Sequence, residues 1–161
     1  IKKSKKFLKP GEDFFMTYGD GLSDVDLNNL YDFHKKNKKL ATLTAVQPLA
    51  RFGALEFSSN GIIKEFIEKP KNSDSWINGG FFVLSEKVTD YVKSNNESWE
   101  NGAVNRLVEI KEICAFKHNG FWQPMDTLRE KNILTEMWNN NKAPWKTSKG
   151  SRKVISFKKA I

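Results

Sequence analysis

Short apolar runs alternate along the chain with longer stretches in which apolar residues recur every third or fourth position. Phe14-Phe15-Met16-Thr17-Tyr18-Gly19 is mostly apolar and aromatic, the pattern of a strand buried on both faces. Ser23-Asp24-Val25-Asp26 then offers several helix N-caps. Leu27, Leu30, Tyr31 and His34 follow at helical spacing, and Lys35-Lys36-Asn37-Lys38-Lys39 places cations where a helix C-terminus favours them. Leu40 to Val46 is β-rich and again reads as a buried strand. Strand, helix and strand with short joints predict a βαβ unit with parallel pairing.

The pattern continues with two strands, Gly53 to Phe57 and Ile62 to Glu68, around the hairpin turn signal Asn60-Gly61. Residues 69–75 form a polar loop, and Ile77 to Leu84 reads as a strand interrupted by Gly79-Gly80. Ser85 caps a helix with Val88, Tyr91 and Val92 on its core face, and Val104, Leu107 and Val108 mark another helix. Ile113 to Phe116 is a strand, Gly120 to Met125 an aromatic loop, and Thr127 with Glu130 a capping box opening a helix through Leu128, Leu134, Met137 and Trp138. The expected organisation is a basic lead-in at 1–13, one α/β domain at 14–146 with a Rossmann-like, mixed but mostly parallel sheet, and a disordered basic tail at 147–161.

Composition changes this picture in one respect. The net charge of +8 sits at the two ends: residues 142–161 hold seven basic side chains and no acid, and residues 1–13 hold five lysines against two acids. The body between them is slightly acidic, so the charge describes the termini and not the domain. No recognition-helix, RNP or zinc-finger pattern accompanies the basic ends, which argues against a nucleic-acid partner. No apolar run approaches the roughly 20 residues of a membrane-spanning helix, and no membrane partner is expected. Cys114 is the only cysteine, lies in a short apolar strand and reads as a buried inert thiol. A reducing, cytoplasmic setting is expected.

Three acids stand at the ends of elements: Asp20, Glu68 and Asp126. Asp20 lies between two glycines beyond a strand, where ligands of open α/β sheets gather. A turn-capping role fits Gly-Asp-Gly equally well. Asp126 precedes the last helix, where either a helix cap or an anion-favouring ligand position is consistent. Glu68-Lys69-Pro70 pairs a hydroxyl acceptor with a compact cation, suited to a ligand with hydroxyls at one end and phosphate at the other, or to a surface ion pair. Arg51-Phe52-Gly53 and Asn78-Gly79-Gly80 place glycine where a backbone can approach a ligand, or where a strand bulges.

Taken in order, Tyr18-Gly19-Asp20-Gly21, Arg51-Phe52-Gly53-Ala54-Leu55, Glu68-Lys69-Pro70, Ile77-Asn78-Gly79-Gly80-Phe81-Phe82-Val83 and Gly120-Phe121-Trp122-Gln123-Pro124-Met125-Asp126-Thr127 resemble the glucose-1-phosphate cytidylyltransferases, a branch of the sugar nucleotidyltransferases. Lys142-Ala143-Pro144-Trp145-Lys146 resembles that family's C-terminal end. The resemblance covers about residues 14–146 and implies a nucleotide-diphospho-sugar transferase fold. It implies the reaction of CTP with α-D-glucose 1-phosphate to give CDP-glucose and pyrophosphate, a step feeding deoxysugars of bacterial surface lipopolysaccharide. By this similarity Asp20 and Asp126 hold Mg²⁺, Glu68 accepts glucose hydroxyls, and Lys69 contacts the sugar phosphate. Gly53, Gly79 and Gly80 line the sugar pocket with backbone groups, with Asn78 beside them. A homo-oligomer is expected of the full-length protein.

Two departures stand beside this likeness. The family's glycine-rich loop containing Gly-Thr-Arg is not found in these 161 residues, so the chain is expected to be an N-terminally truncated portion that does not turn over by itself and presents an open apolar sheet edge. After Trp99-Glu100 the family continues with an acid, Pro and Leu, whereas this chain has Asn101-Gly102-Ala103-Val104. Another sugar-1-phosphate nucleotidyltransferase, a non-catalytic sugar-phosphate-binding module and a basic-tailed interaction protein remain alternative readings.

Overall fold

The computed structural model describes residues 1–48, 53–67 and 75–146. The expected basic tail at 147–161 lies outside the described residues, as do Arg51, Phe52, Glu68, Lys69 and Pro70. The main sheet contains β1 (Asp13–Thr17), β3 (Ala41–Val46), β6 (Ile77–Ser85) and β7 (Ile113–His118) in the order β1-β6-β3-β7. Between them run β2 (Gly21–Ser23), α1 (Leu27–Asn37), β4 (Ala54–Phe57), β5 (Ile63–Ile67) and α2 (Asn105–Glu109). β8 (Trp122–Pro124) and α3 (Leu128–Asn139) close the described chain.

The sheet corrects the expected mostly parallel pairing. β6 runs antiparallel to both of its neighbours, and only β3 with β7 is a parallel pair. β1 and β3 are parallel to one another, as the expected βαβ unit requires, but β6 lies between them. The physical reason is in β6 itself. Phe82, Val83 and Leu84 are all fully buried, and a strand apolar on both faces gains most from the middle of a sheet. β1 is correspondingly an edge strand of the described sheet, and its residues from Asp13 to Met16 are half-buried, not buried on both faces as expected.

Strand register sorts the core into two layers. Phe14 and Met16 pair with Leu84 and Phe82, which in turn oppose Ala41 and Leu43. This face packs against Val88, Tyr91, Trp99 and Leu107 from the segment after β6. That segment is a 3-10 turn (Glu86–Tyr91), a π-helical turn (Trp99–Val104) and α2. Phe15, Val83, Thr42 and Cys114 share the opposite register line. α1 covers it, with Tyr31 against Phe15 and Phe33 against Phe116. The result is an α/β sandwich of three layers.

Local signals in the sequence produce several elements as expected. The Asp26 carboxylate caps α1 by accepting from the Asn28 and Asn29 amides. Thr127 and Glu130 form the reciprocal capping box of α3. β4 and β5 are antiparallel around a turn in which Gly61 adopts φ +81°. His34 is buried on α1: its Nδ1 lies 2.9 Å from Thr42 Oγ1 and its Nε2 3.5 Å from Asp13 Oδ1. Cys114 Sγ is half-buried, 3.3 Å from the same Thr42 hydroxyl.

Candidate active site

Asp20 and Asp126 are brought together by a ribbon that stands apart from the main sheet. β2 and β8 pair antiparallel, with Gly21 opposite Pro124. The ladder extends one step further, where the Met125 amide donates to the Asp20 carbonyl at 2.8 Å. Asp20 and Asp126 are therefore near neighbours at one end of this ribbon, although 106 positions separate them in the chain. The aromatic stretch expected to be a loop supplies β8, a strand of only three residues.

Both aspartates are exposed, and neither carboxylate accepts a hydrogen bond or forms an ion pair among the described residues. Asp126 does not cap α3. The Glu130 carboxylate accepts from the Asp126 and Thr127 amides at 3.0 Å each, so the helix N-terminus is satisfied without the Asp126 side chain. Both carboxylates are hard-oxygen donors on neighbouring backbone positions, unpartnered among the described residues. No group of three metal-ligating side chains occurs among the described residues. The pair suits Mg²⁺, which takes few protein carboxylates and fills its octahedron with water and phosphate oxygens.

Below the ribbon lies the start of β6. The indole Nε1 of Trp122 donates to the Gly79 carbonyl at 2.8 Å, tying β8 to the glycine pair. A Cβ on Gly79 would lie 2.9 Å from Val46 Cγ1 and 3.0 Å from the Thr44 carbonyl. Gly80 has φ +79°, and a Cβ there would lie 2.9 Å from the Tyr18 ring. Both glycines are thus required by the protein's own packing. Gly53 is half-buried just before β4. Glu68 and Lys69 lie outside the described residues.

Asn78 is exposed beside the glycines, with its side chain held at both ends. Its Oδ1 accepts from the Gly80 amide at 2.9 Å, and its Nδ2 donates to the Tyr18 hydroxyl at 3.1 Å. The Tyr18 hydroxyl donates in turn to Glu100 Oε1. Burial first, and the bond to Glu100 second, push the Tyr18 phenol up to about 12. The same bond holds the Glu100 carboxyl below its ordinary range. Tyr18 and Glu100 are polar residues at this site to which sequence reasoning gave no role. Tyr18 reads along the chain as the end of a strand, and nothing local to Glu100 marks it as a site residue.

The fold is an α/β sandwich with two aspartates at the end of its ribbon, and comparison with known families places it. The nucleotidyl transferase family model matches residues 1–126, and the chain belongs to that family. Among its relatives, the glucose-1-phosphate cytidylyltransferases of Salmonella typhi and of Salmonella typhimurium strain LT2 are each 47% identical over 147 residues. Those alignments cover 91% of this chain and 57% of each relative, so the chain spans little more than half their length. HddC from Yersinia pseudotuberculosis, solved in a complex with GMP-PN, superposes with a TM-score of 0.60 at 17% identity, covering 85% of this chain and 60% of HddC. The shared fold is Rossmann-like and that of the nucleotide-diphospho-sugar transferases.

Proposed function

We propose that this chain is the sugar-phosphate- and metal-binding part of a glucose-1-phosphate cytidylyltransferase, which forms CDP-glucose and pyrophosphate from CTP and α-D-glucose 1-phosphate. The observation that carries the reading is that Asp20 and Asp126, unpartnered among the described residues, lie on neighbouring backbone positions at one end of the β2/β8 ribbon. The particular substrate pair rests on the 47% identity to the Salmonella enzymes.

In this reading a phosphate oxygen of glucose 1-phosphate attacks the α-phosphorus of CTP in line. The new P–O bond forms as the α–β phosphoanhydride bond breaks, and the electron pair leaves with pyrophosphate. Such a transfer needs positioning and charge neutralisation and no side-chain nucleophile. Asp20 and Asp126 would hold Mg²⁺, which would supply charge neutralisation on the phosphate oxygens. Lys69 places a cation against the sugar phosphate and Glu68 accepts glucose hydroxyls. Asn78 and the backbone of Gly53, Gly79 and Gly80 wall the sugar. The whole enzyme works as a cytoplasmic homo-oligomer serving bacterial surface polysaccharide synthesis.

The Gly-Thr-Arg loop that holds the triphosphate in this family is not among these 161 residues. In this reading the chain binds glucose 1-phosphate with Mg²⁺, and forming CDP-glucose from CTP calls on that loop as well. Calorimetry with glucose 1-phosphate, mannose 1-phosphate and free glucose tests this, run beside an assay for CDP-glucose. Preferred binding of glucose 1-phosphate without product formation is expected. Equal binding of mannose 1-phosphate would turn the reading towards another sugar nucleotidyltransferase, and no binding of any sugar phosphate would overturn it.

A further inference from the structure

The polar chain continues past Asn78 through half-buried Tyr18 to exposed Glu100 and Ser98. Ser98 Oγ donates to Glu100 Oε2 at 2.8 Å, and Glu100 Oε1 accepts from the Tyr18 hydroxyl. The Tyr18 oxygen accepts from Asn78 Nδ2 at 3.1 Å. Asn78 Oδ1 accepts from the Gly80 amide, and the Gly80 carbonyl accepts from the Tyr18 amide at 2.9 Å. One connected path thus crosses three segments distant in sequence: the end of β1, the start of β6 and the π-helical turn at Trp99–Val104.

The donor and acceptor inventory along this path leaves little freedom. An ionised carboxylate only accepts, so Glu100 obliges the Tyr18 hydroxyl to point its proton away from Asn78. The Tyr18 oxygen then presents a lone pair to Asn78, which must answer with its NH₂ group. The Gly80 amide requires an oxygen at the other end of the Asn78 side chain. The amide of Asn78 is therefore locked in one of its two flip states, with the second Nδ2 hydrogen unbonded among the described residues. A fixed N–H donor beside the glycine pair suits a sugar hydroxyl or phosphate oxygen.

We propose that Glu100 is a positioning residue of the sugar-phosphate site: acting through the Tyr18 hydroxyl, it sets which way Asn78 presents its amide to the ligand. The proposal rests on the sugar-phosphate reading of the site for its ligand, but not for the relay. It assigns a role to a segment that departs from the family pattern directly after Glu100, and to a side chain on the far side of Tyr18 from Asn78.

Calorimetry with glucose 1-phosphate on the 161-residue chain and four variants tests it. Glu100→Ala and Tyr18→Phe are each expected to weaken binding about tenfold, the effect of one well-placed hydrogen bond, and the double variant no further than either alone. Glu100→Gln is expected to bind within about twofold of the parent, because its amide oxygen still accepts from the Tyr18 hydroxyl. Equal loss in Glu100→Gln and Glu100→Ala would overturn the proposal, since the carboxylate charge itself would then be the requirement. Unchanged affinity in Glu100→Ala, or additive losses in the double variant, would overturn it as well.

The side-chain NH₂ resonances of Asn78 test the relay without ligand. They are expected to shift together in Glu100→Ala and Tyr18→Phe and to stay near the parent position in Glu100→Gln. If the parent chain binds no sugar phosphate, the functional reading fails while these resonances still decide the relay. Resonances unmoved in Glu100→Ala would end it.

Discussion

Asp13 opens β1 and Asp20 lies in the turn beyond it, seven positions on, and the structure treats them in opposite ways. The Asp13 side chain is largely buried, with Lys35 Nζ at 2.9 Å and His34 Nε2 at 3.5 Å. Asp20 is exposed and has no hydrogen-bond or ion-pair partner among the described residues. At the Asp13 end, the fold answers its own polar groups through α1 and Thr42. At the Asp20 end, it brings a second unanswered carboxylate alongside. The first arrangement serves stability and the second leaves charge available for something outside the chain. A carboxylate's residue type thus says less about its role than whether the protein has already satisfied it.

The glycine pair lies at the Asp20 end, tied to the ribbon through Trp122, and disturbing it has the largest expected effect. Gly79→Ala drives a Cβ against the β3 backbone and Val46, where nothing flexible can yield. It should cost about 3 kcal/mol of stability, seen as a large drop in the urea midpoint. A midpoint near that of the parent would show that the ribbon end of β6 is looser than the packing states.

Exchanging the two acids sharpens the contrast directly. Asp13→Asn leaves His34 and Lys35 without their anion and should destabilise by about 1–3 kcal/mol, with glucose 1-phosphate affinity unchanged in the folded protein. Asp20→Asn removes a charge that no partner balances among the described residues, so stability should stay the same or rise slightly. Urea denaturation of both variants checks this, and the reverse ranking would erase the distinction.

A smaller effect comes from His34. Its burial lowers the imidazole below its ordinary value, outweighing the opposing pull of Asp13. The neutral ring is the folded form, so its contribution is fully present above the ordinary value of about 6.5. It is lost as pH falls from there through the lowered folded value. The urea midpoint should drop between pH 7.5 and pH 5, and His34→Gln should flatten that slope. An equal slope in the variant would move the acid sensitivity elsewhere.

Much of this architecture is legible along the chain because it is local. The Asp26 cap, the Thr127–Glu130 box and the turn at Gly61 each rest on residues within four positions of one another. The place of β6 is not local. Its apolar run announces a buried strand, but which neighbours it pairs with depends on strands more than thirty residues away. The same holds for β8, whose three residues read as a loop until β2 supplies the other half of the ribbon. At the site, the acids at 20 and 126 stood out because each ends an element, whereas Glu100 acquires meaning only from a tyrosine 82 positions earlier.

The most direct test of the account is a Mg²⁺ or Mn²⁺ titration of the chain with glucose 1-phosphate present, followed by calorimetry or by Mn²⁺ relaxation of nearby protons. The account predicts a single divalent site in the parent chain, lost alike in Asp20→Asn and in Asp126→Asn and retained in Asp13→Asn. Divalent binding that survives both of the first two substitutions would contradict it.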